Sequence, residues 1–200
     1  MPSKEMNSFD ELLEQSTAVH GHICAGQVIG VRMCLLALSL INIDDPKGSD
    51  RKKLYTVVEI DRCATDAIQS VTGCSLGKRS MKYLDHGVMA ASFVNLDTGK
   101  SVRITALEEA REHASKYCSD IENKYARQLE AYKVMPDDEL FRVEKVELTI
   151  PAEDMPGRPM RRVQCDVCSE WVQDSRDRSV EGKTLCRGCA NGRYYKVLID

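Results

Sequence analysis

Cys165-Asp166-Val167-Cys168 and Cys186-Arg187-Gly188-Cys189 enclose seventeen residues near the end of the chain, and their spacing governs how the tail can fold. Each Cys-x-x-Cys turn lets two thiolates converge on one ion. Four sulfurs close a tetrahedron with no open position, so the pattern predicts a structural zinc site. A redox dithiol or a pair of disulfides would use the same residues, but redox Cys-x-x-Cys usually stands singly in a βαβ setting, which favours the metal. With Trp171 and Val172 as its few large apolar residues before the last helix, so short a segment could not fold without the ion.

Immediately upstream, residues 151–160 hold three prolines and one glycine, a composition that cannot continue a helix or a sheet ladder. The expected organisation is a core domain over 1–150, a linker over 151–160 and a four-cysteine zinc finger over 161–200. A chain of 200 residues has room for one ordinary domain and such an appendage. Its 42% apolar and 30% charged residues are an ordinary globular balance.

A net charge of −3 gives no strong pull toward phosphate backbones and disfavours a dedicated nucleic-acid binder. Met1 to Phe9 has neither the basic start nor the apolar run of a leader, and no stretch approaches the roughly 18 apolar residues of a membrane span, so a cytoplasmic protein is expected. Nine cysteines, an odd number, point in a reducing compartment to metal binding or chemistry rather than to bridges.

The expected fold class is α+β, a mixed helix and sheet core followed by the small finger. Ser8 and Glu11 form a capping box that starts a helix running to about Val19. Gln27 to Ile41 is apolar nearly all round, as in a helix buried on most sides. Leu54 to Ile60 is rich in β-branched residues and reads as a strand, and Cys63 to Val71 as a short helix closed by Gly73. Val88–Val94 and Ser101–Thr105 flank Asp97-Thr98-Gly99 as a hairpin. Leu107 to about Val134 carries an apolar stripe that predicts one long helix, and the alternation from Phe141 to Ile150 predicts a further strand.

His20, His22 and Cys24 fall within five residues at the junction of two helices, a dense set of metal ligands in one loop. Cys24 sits just before a helix and Cys63 at the start of another, where the helix dipole favours thiolate over thiol. Together with Cys74, in the turn after the second helix, these residues point to a metal-centred site; a metal-free Cys–His nucleophile is the next choice. Cys34 and Cys118 read as small apolar residues within helices. Gly73-Cys74-Ser75-Leu76-Gly77-Lys78 is one residue short of a phosphate-binding loop, and Arg79 stands where a hydroxyl should hold magnesium, so a Walker-type ATPase is rejected; a looser anion contact by Lys78 and Arg79 stays open.

The motifs His20-Gly21-His22-Ile23-Cys24-Ala25-Gly26, Cys63-Ala64-Thr65-Asp66-Ala67-Ile68-Gln69 and Thr72-Gly73-Cys74-Ser75-Leu76-Gly77-Lys78 resemble the E-subunit family of formylmethanofuran dehydrogenase, over roughly residues 8 to 150. Some members carry a C-terminal treble-clef zinc finger. The resemblance implies an α+β core, an intertwined homodimer, and a metal site at His22, Cys24 and Cys63, with Asp66, Gln69, Cys74 and Lys78 as neighbours. It does not imply catalysis, since formyl oxidation in the parent complex is expected of the molybdenum or tungsten subunits. Ala25 and Ser75 stand where many members have Pro and Thr, which leaves the expected ligands intact.

The first functional expectation is therefore a metal-binding accessory or subunit-like protein of one-carbon or molybdenum/tungsten enzyme metabolism. It would hold a structural zinc in the finger and a second metal ion, with zinc the first choice, in the core. Its partners would be a second copy of itself and an enzyme complex, with no membrane. The alternatives are a free-standing metal-thiolate enzyme, with His20 as acid/base, and a regulatory adaptor acting through the finger. Arginines of the tail such as Arg158, Arg161, Arg162 and Arg176 lie among acidic residues, which favours protein contact over nucleic acid.

Overall fold

The computed structural model describes residues 8–198; of the Met1–Phe9 stretch, residues 1–7 lie outside them. Two compact units divide the chain, one ending at Thr149 and the other starting at Ile150.

In the first unit, helix α1 (Phe9–His20) starts at the expected capping box: Ser8 accepts from the Glu11 N–H while Glu11 reaches back to Ser8. Helix α2 (Ala25–Leu40) is the spine of the core, with Val28, Val31, Cys34, Ala37 and Leu38 fully buried. Strand β1 (Leu54–Val58) leads through α3 (Cys63–Thr72) to β2 (Met81–Tyr83), which pairs parallel to it, with Gly73 closing α3 in the left-handed conformation. The hairpin β3 (Ala90–Asn95) and β4 (Ser101–Ala106) follows. After α4 (Ala110–Tyr117), α5 (Lys124–Val134) and the short α6 (Asp137–Leu140), the edge strand β5 (Phe141–Lys145) completes a sheet of order β2-β1-β3-β4-β5.

Strand geometry sends alternate residues to opposite faces. Leu54 and Val58, with Ala91, Phe93, Val102 and Ile104, meet the helices in the main apolar core. On the other face Glu59, only 6% exposed, takes two hydrogen bonds from the Arg103 guanidinium at 2.7 and 2.8 Å, and Arg103 also donates to Glu144 at 3.0 Å. Arg32 on α2 donates to the carbonyls of Tyr132 and Met135, so a side chain satisfies the end of α5 and locks it to the spine.

Three expectations need correction. The long helix over Leu107–Val134 is two helices, because the Asn123 side chain accepts from the Tyr125 and Ala126 amides and starts α5 afresh. Cys118 is consequently the cap residue after α4 rather than a mid-helix position. Strand β5 stops at Lys145, well before Ile150, because its partner β4 begins at Ser101, just after the hairpin turn; Ser101 still accepts from the Val146 amide and donates its hydroxyl to the Val146 carbonyl.

In the second unit, β6 (Val163–Gln164) and β7 (Trp171–Val172) flank the first cysteine turn, the hairpin β8 (Arg178–Val180) and β9 (Lys183–Leu185) leads to the second, and α7 (Arg187–Asn191) follows. A knuckle, a hairpin and a short helix in this order are the parts of a treble clef. The proline-rich stretch is not featureless: Ala152–Asp154 form a 3-10 turn and Asp154 pairs with Arg176 at 2.7 Å. Among the described residues, no helix is long and apolar enough to cross a membrane.

Candidate metal centre

The core site begins with how closely α2 and α3 can pack. A Cβ on Gly30 would stand 2.6 Å from both the Ala64 carbonyl oxygen and the Ala67 methyl, and one on Gly26 would stand 2.9 Å from Cys63 Cβ. Bare backbone at these two positions therefore lets the helix starts come together. Gln27, fully buried, locks the approach: Ser16 of α1 donates to its Oε1, and its Nε2 donates to the Cys63 carbonyl at 2.6 Å.

Gly21, with φ of +94°, ends α1 and turns the chain into Cys24, whose extended backbone caps α2. The sulfurs of Cys24 and Cys63 and one ring nitrogen of His20 consequently lie within 4.8 Å of one another. All three residues are half-buried, and both thiols sit at helix N-termini, where the backbone dipole stabilises negative charge. Burial pushes the Cys63 thiol up, and the adjoining Cys24 thiol adds to the shift. Both sulfurs can be deprotonated together only with a cation between them.

The imidazole is prepared for that cation. His20 Nδ1 lies 2.8 Å from Asp66 Oδ2, while Nε2 is buried without a hydrogen-bond partner. A carboxylate on one ring nitrogen fixes the tautomer that leaves the other nitrogen's lone pair free, the usual support of a metal-binding histidine. An orphaned buried nitrogen beside two thiols fits a soft or borderline ion such as zinc.

Of the expected set His22, Cys24 and Cys63, the structure brings Cys24 and Cys63 together, with His20 as the third member of the cluster. His22 is exposed and outside the group, its ring tilted by 39° against that of His20 with 4.6 Å between centroids. The signal was in helix α1: Leu13, Ser16 and His20 recur at helical spacing, and Leu13 and Ser16 are buried, so the stripe carries His20 inward while the Gly21 turn leaves His22 outside. Of the expected neighbours, Asp66 joins the site. Cys74 does not, being buried in the main core with its thiol toward the Leu54 carbonyl. Gln69 is exposed, and the Lys78 ammonium donates to the Gly73 carbonyl at 2.9 Å, outside the cluster.

A cavity of about 820 Å³ opens beside the two thiols, lined among others by Arg62, Met89, Arg111, Tyr125 and Leu129. The start of α5 forms part of it; the broken helix concealed this from the sequence pattern.

In the second unit the sulfurs of Cys165, Cys168, Cys186 and Cys189 also lie within 4.8 Å of one another. Cys165 follows β6, and Cys186 caps α7, accepting from the Cys189 amide at 3.3 Å. Backbone amides of Cys168 and Cys186 hold the Cys165 thiol down at about 6, favouring the thiolate a metal requires. Several arginines of this unit are committed within it: Arg161 to Asp177, Arg176 to Asp154, and Arg162 over the Trp171 ring at 4.7 Å.

Comparison with known proteins agrees with this layout. A protein of Archaeoglobus fulgidus described as a probable S-adenosyl-L-methionine-binding protein is 32% identical over 207 residues, covering 94% of this chain and 54% of that protein. The chain thus spans about half the length of this curated relative. The crystal structure of a protein from Syntrophus aciditrophicus resembling the E-subunit (FmdE) of tungsten formylmethanofuran dehydrogenase matches 98% of this chain and 100% of its own, with a TM-score of 0.63 and 24% identity, a likeness of fold. The family model described as FmdE, molybdenum formylmethanofuran dehydrogenase operon, matches residues 19–142, which contain every side chain of the core cluster. The chain belongs to the FmdE family.

Proposed function

We propose that this protein is a metal-binding accessory or subunit-like protein of one-carbon or molybdenum/tungsten enzyme metabolism, holding a zinc ion on His20, Cys24 and Cys63 and a second, structural zinc in the C-terminal finger. The observation that carries the reading is the buried, unpartnered His20 Nε2 beside two thiols, with Asp66 on the far ring nitrogen. Family membership supports the metabolic setting by its name alone; a homodimer that docks on a larger enzyme is part of the same proposal.

Three protein ligands leave a tetrahedral ion one open position, whereas the four cysteines of the finger leave none. When bound, the core ion would supply Lewis acidity at the cavity. The chain's own parts have plainer tasks. Asp66 orients the imidazole, the helix starts stabilise the thiolates, and Gln27 keeps them in register. The test is elemental analysis of the purified full chain and of Cys63→Ser: two zinc equivalents are expected falling to one, and a single equivalent in both would refute the core site.

The cavity beside the thiols gives the second reading, a small-molecule-binding protein or enzyme, its physical basis. The name of the Archaeoglobus fulgidus relative suggests S-adenosyl-L-methionine as the first ligand to try. Equilibrium dialysis at millimolar ligand decides it; no retention would leave the accessory role alone.

A further inference from the structure

Arg62 is the residue before α3 and lines the cavity next to Cys63. Among the described residues its guanidinium has no hydrogen-bond or ion-pair partner, although it stands beside a chemically prepared site. Arg111, which also lines the cavity, differs: its Nε is matched by Glu108 at 3.2 Å. Arg62 is therefore the uncompensated charge of this cavity. Tyr125, 70% exposed, adds an aromatic ring, with Lys124 Nζ 5.1 Å from the ring centre, and Leu129 and Met89 add apolar surface.

We infer that the cavity binds a small organic anion with a planar apolar body, a carboxylate in the simplest case, its charge on Arg62 and its ring against Tyr125 and Leu129. A guanidinium presents two parallel N–H donors to such a group, and an aromatic wall selects a flat body over a chain. A volume of about 820 Å³ is ample for a ligand of drug size. The inference rests on the metal reading only at the thiol end of the cavity; the anion contact belongs to Arg62.

The test titrates the metal-loaded full chain with 2-naphthoate and with 2-naphthamide, which has the same shape without the charge, following amide shifts by NMR and measuring zinc in the same samples. Naphthoate should shift the Cys63 and Tyr125 amides and bind at least tenfold more tightly than the amide. Arg62→Gln, at an exposed position that leaves the fold alone, should abolish that preference, and Arg111→Gln should largely keep it. Naphthoate failing to bind while the core ion is present overturns the inference, as does a preference that survives Arg62→Gln and is lost in Cys63→Ser, which would put the carboxylate on the ion. Arg62-dependent binding in a chain whose core holds no zinc would sustain the anion site and refute the metal reading.

Discussion

Asp66 Oδ2 sits 2.8 Å from His20 Nδ1, so an exposed carboxylate on α3 sets the orientation of a ring carried by α1. Asp66→Asn should weaken core metal binding by about 10–100-fold, the usual effect of losing a carboxylate behind a ligating histidine. Competition against a chromophoric chelator reads this directly. The Asp66 side chain is 55% exposed, so thermal stability should barely move, which separates orientation from folding.

Gly30 and Gly26 test the packing that brings the thiols together. Gly30→Ala places a methyl against the Ala64 carbonyl and the Ala67 side chain and should cost about 1–3 kcal/mol in denaturant unfolding. Gly26→Ala, which meets Cys63 itself, should reduce core metal occupancy by more than its stability loss would account for. Equal metal affinity in both variants and the parent would show that the helix contact does not set the site.

Glu59 makes stability depend on pH. Arg103 holds its carboxyl below the usual glutamate range, with His86 contributing. A depressed carboxyl contributes stability above its unfolded value, and that contribution is lost as pH falls through the lowered folded value. Glu59→Gln should cost roughly 1.5–3 kcal/mol near neutrality. It should also flatten the acid limb of the stability curve measured by urea titration at several pH values; an unchanged limb would place the acid sensitivity elsewhere.

Much of this could be read from residue order. The capping box at Ser8, the apolar spine from Gln27, the Gly73 stop and the hairpin at Asp97–Gly99 are local signals, and local chemistry was enough to place them. The break between α4 and α5 was missed because an apolar stripe outweighed the capping preference of Asn123. Cys24 and Cys63 stand at helix starts, which residue order alone places. Choosing between His20 and His22 required knowing which way the Gly21 turn points the chain, and the cavity required the α5 residues that only tertiary packing supplies.

Chelation should act on the two units differently. The finger has few buried apolar side chains, among the described residues only Cys165 and Leu185, so removing its ion should collapse the amide dispersion of residues 161–198. The five-stranded sheet, held by its own core, should keep its spectrum. Persistence of a dispersed finger after exhaustive chelation would remove the ion from its folding.

Crystals of the full chain measured on both sides of the zinc absorption edge address the core site most directly. The account predicts two anomalous peaks per chain, one of them about 2.3 Å from the sulfurs of Cys24 and Cys63 and about 2.1 Å from His20 Nε2. A peak among the four finger cysteines with none beside Cys24, or a core ion held by His22 in place of His20, would contradict it.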